Sequence, residues 1–389
     1  MKRYDFDELV NREDTNSIKY DGREKIFGKK DVIPLWVADT DFRTPGFITE
    51  AIRKRAEHEI YGYTFRPDSY NEAIKYWLKT RHNWEIQKEW LHFSPGVVPA
   101  VALSVLGFTE PGDSVIVQPP VYFPFFSAVK DNDRELIENP LKPENGRYYM
   151  DFDDLERKIQ PGTKMLILCN PHNPGGMAWT KDELRQVGEI CMDHNVLVVS
   201  DEIHSDLIYS GHQHIPFASV SEEFAMNSIT CMAPSKTFNV AGLSTSFVVI
   251  PNKKMFNRYD RLMEGTHLYG GNIFGAVALE AAYRNGENWL NQMMEYVKEN
   301  YQFTEQYLKE NIPQIVPMKP EATFLVWLDF SDFGLKDADL NHRLIKAGVG
   351  LNQGIQFGKQ GKGFMRMNIG CPRSVLAEAL KRIKTEFKE

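Results

Sequence analysis

A chain of 389 residues, 42% hydrophobic and 25% charged, is long enough for a sizeable core shared by two domains and has the balance of an ordered globular protein. Its net charge of -7 at pH 7 comes without a basic tract, which argues against a nucleic-acid partner, since phosphate neutralisation needs clustered lysine and arginine. No run approaches the ~18 consecutive apolar residues of a membrane span, and the polar start MKRYDFDELVNRED lacks the apolar stretch of a secretory signal, so a soluble, cytoplasmic protein is expected.

The first forty-odd residues read as irregular, ending in the apolar segment 33–39. Thr44-Pro45 opens a helical pattern through Ile48, Ala51, Ile52 and Arg55, and residues 69–81 read as a second helix. From about residue 91, short apolar runs alternate with helical patterns, the signature of a mostly parallel sheet. The predicted strands are 114–118, 165–169, 196–200, 229–232 and 247–250, each nearly continuous in apolar residues, as expected where helices cover both faces. Helical patterns fall at 97–108, 122–130, 181–194 and 272–284. After residue 285 come a long helix through Trp289, Met293, Tyr296, Val297 and Tyr301, strands at 323–328 and 364–369, and a final helix near 373–387. This part reads as α+β. The expected division is an N-terminal segment 1–45 that joins the small domain, a large α/β domain 46–284, and a C-terminal small domain 285–389. The four cysteines, Cys169, Cys191, Cys231 and Cys371, lack CxxC spacing and read as buried free thiols.

Open α/β sheets bind ligands beyond the carboxyl ends of their strands. After 165–169 comes the turn Asn170-Pro171-His172-Asn173-Pro174-Gly175-Gly176, whose prolines and glycines are explained by a loop but whose Asn173 is not. After 196–200 comes Asp201-Glu202-Ile203-His204. Asp201 could cap a helix or pair locally, or it could accept from a cationic ring nitrogen. After 229–232 comes Ala233-Pro234-Ser235-Lys236-Thr237. Alone, Lys236 would read as a surface residue, but behind a buried strand its ammonium is disfavoured, which suits Schiff-base chemistry. An amide, an acid and a lysine at successive strand ends match the needs of pyridoxal 5'-phosphate (PLP). His212 and His214 flank Gln213 in a polar stretch without a third ligand at metal spacing, so a solvated loop and no metal are expected.

The loop NPHNPGG, the run SDEIH and the segment SKTF resemble the aspartate-aminotransferase-like, fold type I PLP enzymes over nearly the whole chain. PLWVADTDF, YGYT, FSPGVVPA, QPPVYFPF, SDEIHSDLIY and SKTFNVAGL are similar to the MalY/PatB group of C–S lyases within them. The resemblance implies a large α/β domain around a mostly parallel sheet with a smaller α+β domain. It implies that Lys236 carries PLP, that Asp201 meets the ring nitrogen and Asn173 the ring hydroxyl, with His204 beside them. Gly96 and the N–H groups of Val97 and Val98 would hold the phosphate with Ser235, and Tyr122 would stack on the ring. Arg366 would bind the substrate α-carboxylate near the Ala38 backbone, Tyr122 and Asn173. Tyr63 would reach the phosphate of the neighbouring subunit in a homodimer with shared active sites, and Tyr61 remains open for that role. Two positions depart from the standard transaminase pattern: His204 stands where many carry tyrosine, and Ser244 where many carry a phosphate-binding arginine. The implied reaction is α,β-elimination on a sulfur amino acid, giving thiol, pyruvate and ammonia. The rivals are an aminotransferase, and a regulatory partner-binding protein on the same fold.

Overall fold

The computed structural model describes residues 2–388. A seven-stranded sheet is built, in spatial order, from Leu91–Ser94, Ser246–Val249, Ser228–Met232, Leu197–Asp201, Thr163–Cys169, Ser114–Val117 and Glu135–Glu138. Six of these strands run in one direction; Ser246–Val249 alone is reversed, antiparallel to both its neighbours. A run of apolar residues does not encode direction, so this reversal was invisible in the sequence. The three strands that end at Cys169, Asp201 and Met232 are adjacent and parallel, so their carboxyl ends share one rim.

One face of the sheet packs on Val97–Phe108 and Lys253–Gly265, with Val101, Val105, Tyr259 and Met263 buried between them. The other face packs on Lys181–Asp193, whose start is fixed by a capping box between Thr180 and Glu183. A third cluster joins helices Asp68–His82, Ile273–Asn285 and Glu287–Asn311 to a four-stranded antiparallel sheet. In the long helix Glu287–Asn311, Trp289, Leu290, Met293, Val297, Tyr301 and Leu308 form one buried stripe at helical spacing. The smaller sheet orders Val316–Pro317, Leu325–Asp329, Phe364–Asn368 and Asn352–Gln353. The segment expected to be irregular near residue 33 contains a short strand, Ile33–Pro34, that pairs in parallel with Val349–Gly350. That pairing carries the early chain onto the C-terminal part, and Arg12 locks it there: its guanidinium binds both carboxylate oxygens of Asp39 and one of Asp41. All four cysteines are free and buried. Among the described residues no helix is long and apolar enough to cross a membrane.

Candidate active site

The helix Val97–Phe108 starts at the rim, immediately after extended Gly96, whose carbonyl accepts from the Ser94 hydroxyl at 3.0 Å. Its first N–H groups therefore open toward the strand ends, where a helix start favours an anion. A cavity of about 180 Å³ lies there, lined by Gly96, Val97, Val98, Tyr122, Cys169, Asn173, Asp201, His204, Ser235, Lys236 and Ala38. Past Ala38 and Lys236 lies a wider groove of about 1200 Å³, walled by the N-terminal segment.

The turn after Ser228–Met232 is closed by bonds from the Phe238 N–H to Pro234 and from the Val240 N–H to Ser235. This presents Lys236 to the cavity, and its Nζ donates to the carbonyl oxygen of Ala38 at 2.6 Å. The lysine keeps some exposed surface because its amine faces the cavity. Burial among the walls still lowers its pKa to about 8, while Asp39 and Asp201 favour the charged form. Asp201 ends its strand 3% exposed, and its Oδ1 accepts the Ile203 N–H at 3.1 Å. Burial pushes its carboxyl up to about 7.

Asn173 is held in the loop after Thr163–Cys169, its N–H on the Cys169 sulfur at 3.3 Å. Both Asn–Pro bonds of that loop are cis. Gly176 closes the loop with φ +74°, and its carbonyl accepts the N–H groups of Glu321 and Ala322 at 2.8 Å each. A side chain there would meet strain and crowd Pro320 and Ala322. Arg366 reaches the same place from the small sheet. Three of its five donors are taken, by Asn173 Oδ1, the Trp36 carbonyl and Asn352 Oδ1. Asn352 stands directly opposite it across the strand pair, and the guanidinium lies 4.9 Å from the Phe357 ring centroid. Burial lowers the Arg366 pKa to about 10.

Of the residues singled out in the sequence, Ala38, Gly96, Val97, Val98, Tyr122, Asn173, Asp201, His204, Ser235 and Lys236 line the one cavity, and Arg366 joins it through Asn173. Tyr63 does not: it is fully exposed and borders a separate surface hollow with Arg66 and Tyr269, while Tyr61 is 56% exposed and donates to the Ala56 carbonyl. Ser244 is exposed with φ +45°, outside the cavity. The expectation of a solvated His212–His214 loop holds for His212 and fails for His214. His214 is 3% exposed because Glu202, itself fully buried, binds its Nε2 at 2.8 Å. Among the described residues there is no cluster able to hold a metal. Sequence reasoning missed Asn352, which meets Arg366 only through the register of two strands, and missed the main-chain acceptors at Trp36 and Ala38 as fixing points, because those contacts span 330 and 198 residues and use backbone oxygens.

The donor set fits PLP. A buried acid with one hydrogen bond can meet a cationic ring nitrogen, a helix start can meet a phosphate, and a lysine of lowered pKa can meet an aldehyde. His204 Nδ1 and Arg366 Nε are buried without a protein partner, so two polar atoms remain for a ligand.

Residues 30–383 match the family described as aminotransferase class I and II. The chain is 46% identical over 381 residues to cystathionine beta-lyase PatB of Bacillus subtilis (strain 168), covering 97% of this chain and 98% of that protein. It is 31% identical to Protein MalY of Escherichia coli (strain K12), over 97% of each. Cystalysin from Treponema denticola, solved with its pyridoxal 5'-phosphate cofactor, superposes with a TM-score of 0.97 at 36% identity, over 100% of this chain and 99% of that one. The PLP-bound C–S lyase from Staphylococcus hominis gives 0.93 at 35% identity, with the same coverage.

Proposed function

The chain belongs to the aminotransferase class I and II family and is a PLP-dependent C–S lyase, and from that premise we propose how its residues divide the work of α,β-elimination on a cystathionine-like amino acid. When bound, PLP supplies an aldehyde for the substrate amine and a ring that draws electrons from Cα. The N–H groups of Val97 and Val98, with extended Gly96 and the Ser235 hydroxyl, would hold the phosphate. Asp201 would meet the ring nitrogen and keep it protonated, Asn173 would meet the ring hydroxyl with His204 beside them, and Tyr122 would cover the ring. Arg366 holds the substrate α-carboxylate with its two remaining donors, next to the Ala38 backbone. Lys236 Nζ takes the Cα proton as general base. The Cβ–S bond then breaks with its electron pair on sulfur, and the thiolate leaves. The remaining three-carbon fragment takes up one water to give pyruvate and ammonia. Cystathionine yields homocysteine by this route.

What carries this assignment is a single convergence: the Lys236 amine, the Asp201 carboxyl and the Asn173–Arg366 pair border one cavity. The large unit 46–284 would hold the cofactor, while 285–389 with 1–45 would hold the substrate wall. We place the protein in the cytoplasm, where four free thiols are stable. We also propose a homodimer in which Tyr63 completes the partner's phosphate site. Its full exposure, beside exposed Ile60, Tyr61 and Phe65, supports a covered face there. The test is purified enzyme with cystathionine and no keto acid. Pyruvate and homocysteine in equal amounts are expected, and strict dependence on a keto-acid acceptor would show an aminotransferase instead.

A further inference from the structure

Glu202 and Thr237 follow Asp201 and Lys236 in the chain, yet neither lines the cavity; both are fully buried behind it. The Thr237 hydroxyl donates to Asp206 Oδ2 at 2.7 Å. Asp206 Oδ1 accepts the Trp77 indole N–H at 3.0 Å and lies 2.9 Å from His82 Nε2. Glu202 accepts the Ser200 hydroxyl and the Phe217 N–H at 2.9 Å each and binds His214. The His82 and His214 rings meet edge to face at 5.2 Å. Two carboxylates and two imidazoles thus form one sealed assembly behind the acid and the lysine.

Burial works against charge on Asp206, yet the hydrogen bond from His82 leads the effects that hold its pKa below the usual range. Burial also lowers the His82 pKa, so the imidazole is neutral at pH 7 and its Nε2–H donates. An ionised carboxylate in a core is an expensive way to fill space, because apolar side chains of similar volume do so without desolvation. Its two oxygens do what apolar atoms cannot. One grips the helix Asp68–His82 through Trp77 and His82; the other grips the turn that carries Lys236.

We propose that Asp206, acting through the Thr237 hydroxyl, is a positioning residue that fixes the Lys236 turn and so aims Nζ for proton transfer at the substrate Cα. This rests on the role given above to Lys236. Thr237→Val removes the hydroxyl at constant shape, and Thr237→Ser restores it. Asp206→Asn keeps the volume but turns an amide N–H₂ toward donors; Thr237→Val carries the test if that variant does not fold. Three measurements on full-length protein separate the outcomes. Stripped enzyme is mixed with PLP, and attachment to Lys236 is followed by borohydride fixation and peptide mapping. Holoenzyme is given L-alanine, which has no sulfur leaving group, in deuterated water, and loss of its Cα proton is followed by NMR. Pyruvate release from cystathionine gives kcat and KM. For Thr237→Val, attachment and exchange are each expected to slow by about 30-fold, with KM within about 3-fold of wild type, as for a misaimed group. Thr237→Ser is expected to recover both to within about 3-fold of wild type. Wild-type attachment and exchange rates in Thr237→Val, accompanied only by a lower Tm, would overturn the proposal. Absence of pyruvate from the wild-type enzyme would instead overturn the lyase assignment and leave the attachment assay unaffected.

Discussion

Lys236 Nζ donates to the backbone carbonyl of Ala38, 198 positions away in the chain, at 2.6 Å. The same turn reaches the same segment a second time, since the Asn239 side chain accepts the Thr40 N–H and donates to the Thr40 and Phe42 carbonyls. The lysine is therefore registered against the N-terminal segment by fixed geometry, and its chemistry follows from that enclosure.

Burial sets the amine at about 8, against 10.5 for an ordinary lysine. Only the neutral amine attacks an aldehyde, so attachment of PLP to stripped enzyme should accelerate as pH rises through about 8 and level off above it. A midpoint near 10.5 would show a solvated lysine. Lys236→Ala should leave no residue that borohydride can label with a pyridoxyl group.

Asp201 should reveal itself through stability. Its folded pKa, about 7, lies above the ordinary 3.8, so the fold holds the proton more tightly than the unfolded chain does. The associated stabilisation is complete below about pH 4 and is lost as pH rises to about 7. In cofactor-free protein, Asp201→Asn removes that titration. Its Tm relative to wild type should rise between about pH 4 and pH 7 and then stay level. With PLP bound the order should reverse, because a cationic ring gives the carboxylate its partner. A pH-independent Tm difference in the stripped proteins would contradict this.

Arg366 presents a planar fork that lysine cannot copy. Arg366→Lys should raise KM for the amino acid by about 100-fold while PLP affinity stays within about 3-fold. Asn352→Ala, which frees one arm of the fork, should raise KM less. Equal losses in both affinities, measured by steady-state kinetics and cofactor titration, would remove the carboxylate role.

Lys19 is fully buried and binds Asp41 Oδ2 at 2.9 Å and the Asp39 carbonyl at 3.1 Å. Lys19→Met would leave Asp41 short of a cation in the core. A loss of about 3–5 kcal/mol in unfolding free energy is expected from denaturant titration. A change below about 1 kcal/mol would show the network to be dispensable.

The sequence made Asn173, Asp201 and Lys236 legible because each follows an apolar run, and position at a strand end can be read from order alone. Helices 97–108 and 373–387 were legible for a similar reason: their patterns are continuous and their ends carry Gly96 and Pro372. Arg366 alternates with apolar residues like any half-exposed strand residue, and only the family resemblance singled it out. His214 and Asp206 could not be read at all. A polar residue is buried only when partners from distant segments meet it, and no local pattern records Glu202 beside His214 or Thr237 beside Asp206. The hairpin 142–149 and the helices Lys253–Gly265 and Asp337–Lys346 also escaped notice, their apolar residues being too few or too mixed with charge.

The parallel pairing of Ile33–Pro34 with Val349–Gly350 has a consequence for how the protein is made. Synthesis is vectorial, and the segment that receives the lysine emerges first, while the strand that docks it emerges near the end. Once Ser246–Val249 has emerged, and until the C-terminal strands follow, Lys236 and Asp201 can already stand on their finished sheet, with the groove beside them lacking its wall. The nascent chain can therefore own its cofactor seat before it owns a substrate seat, and the catalyst is complete only when its two ends have met.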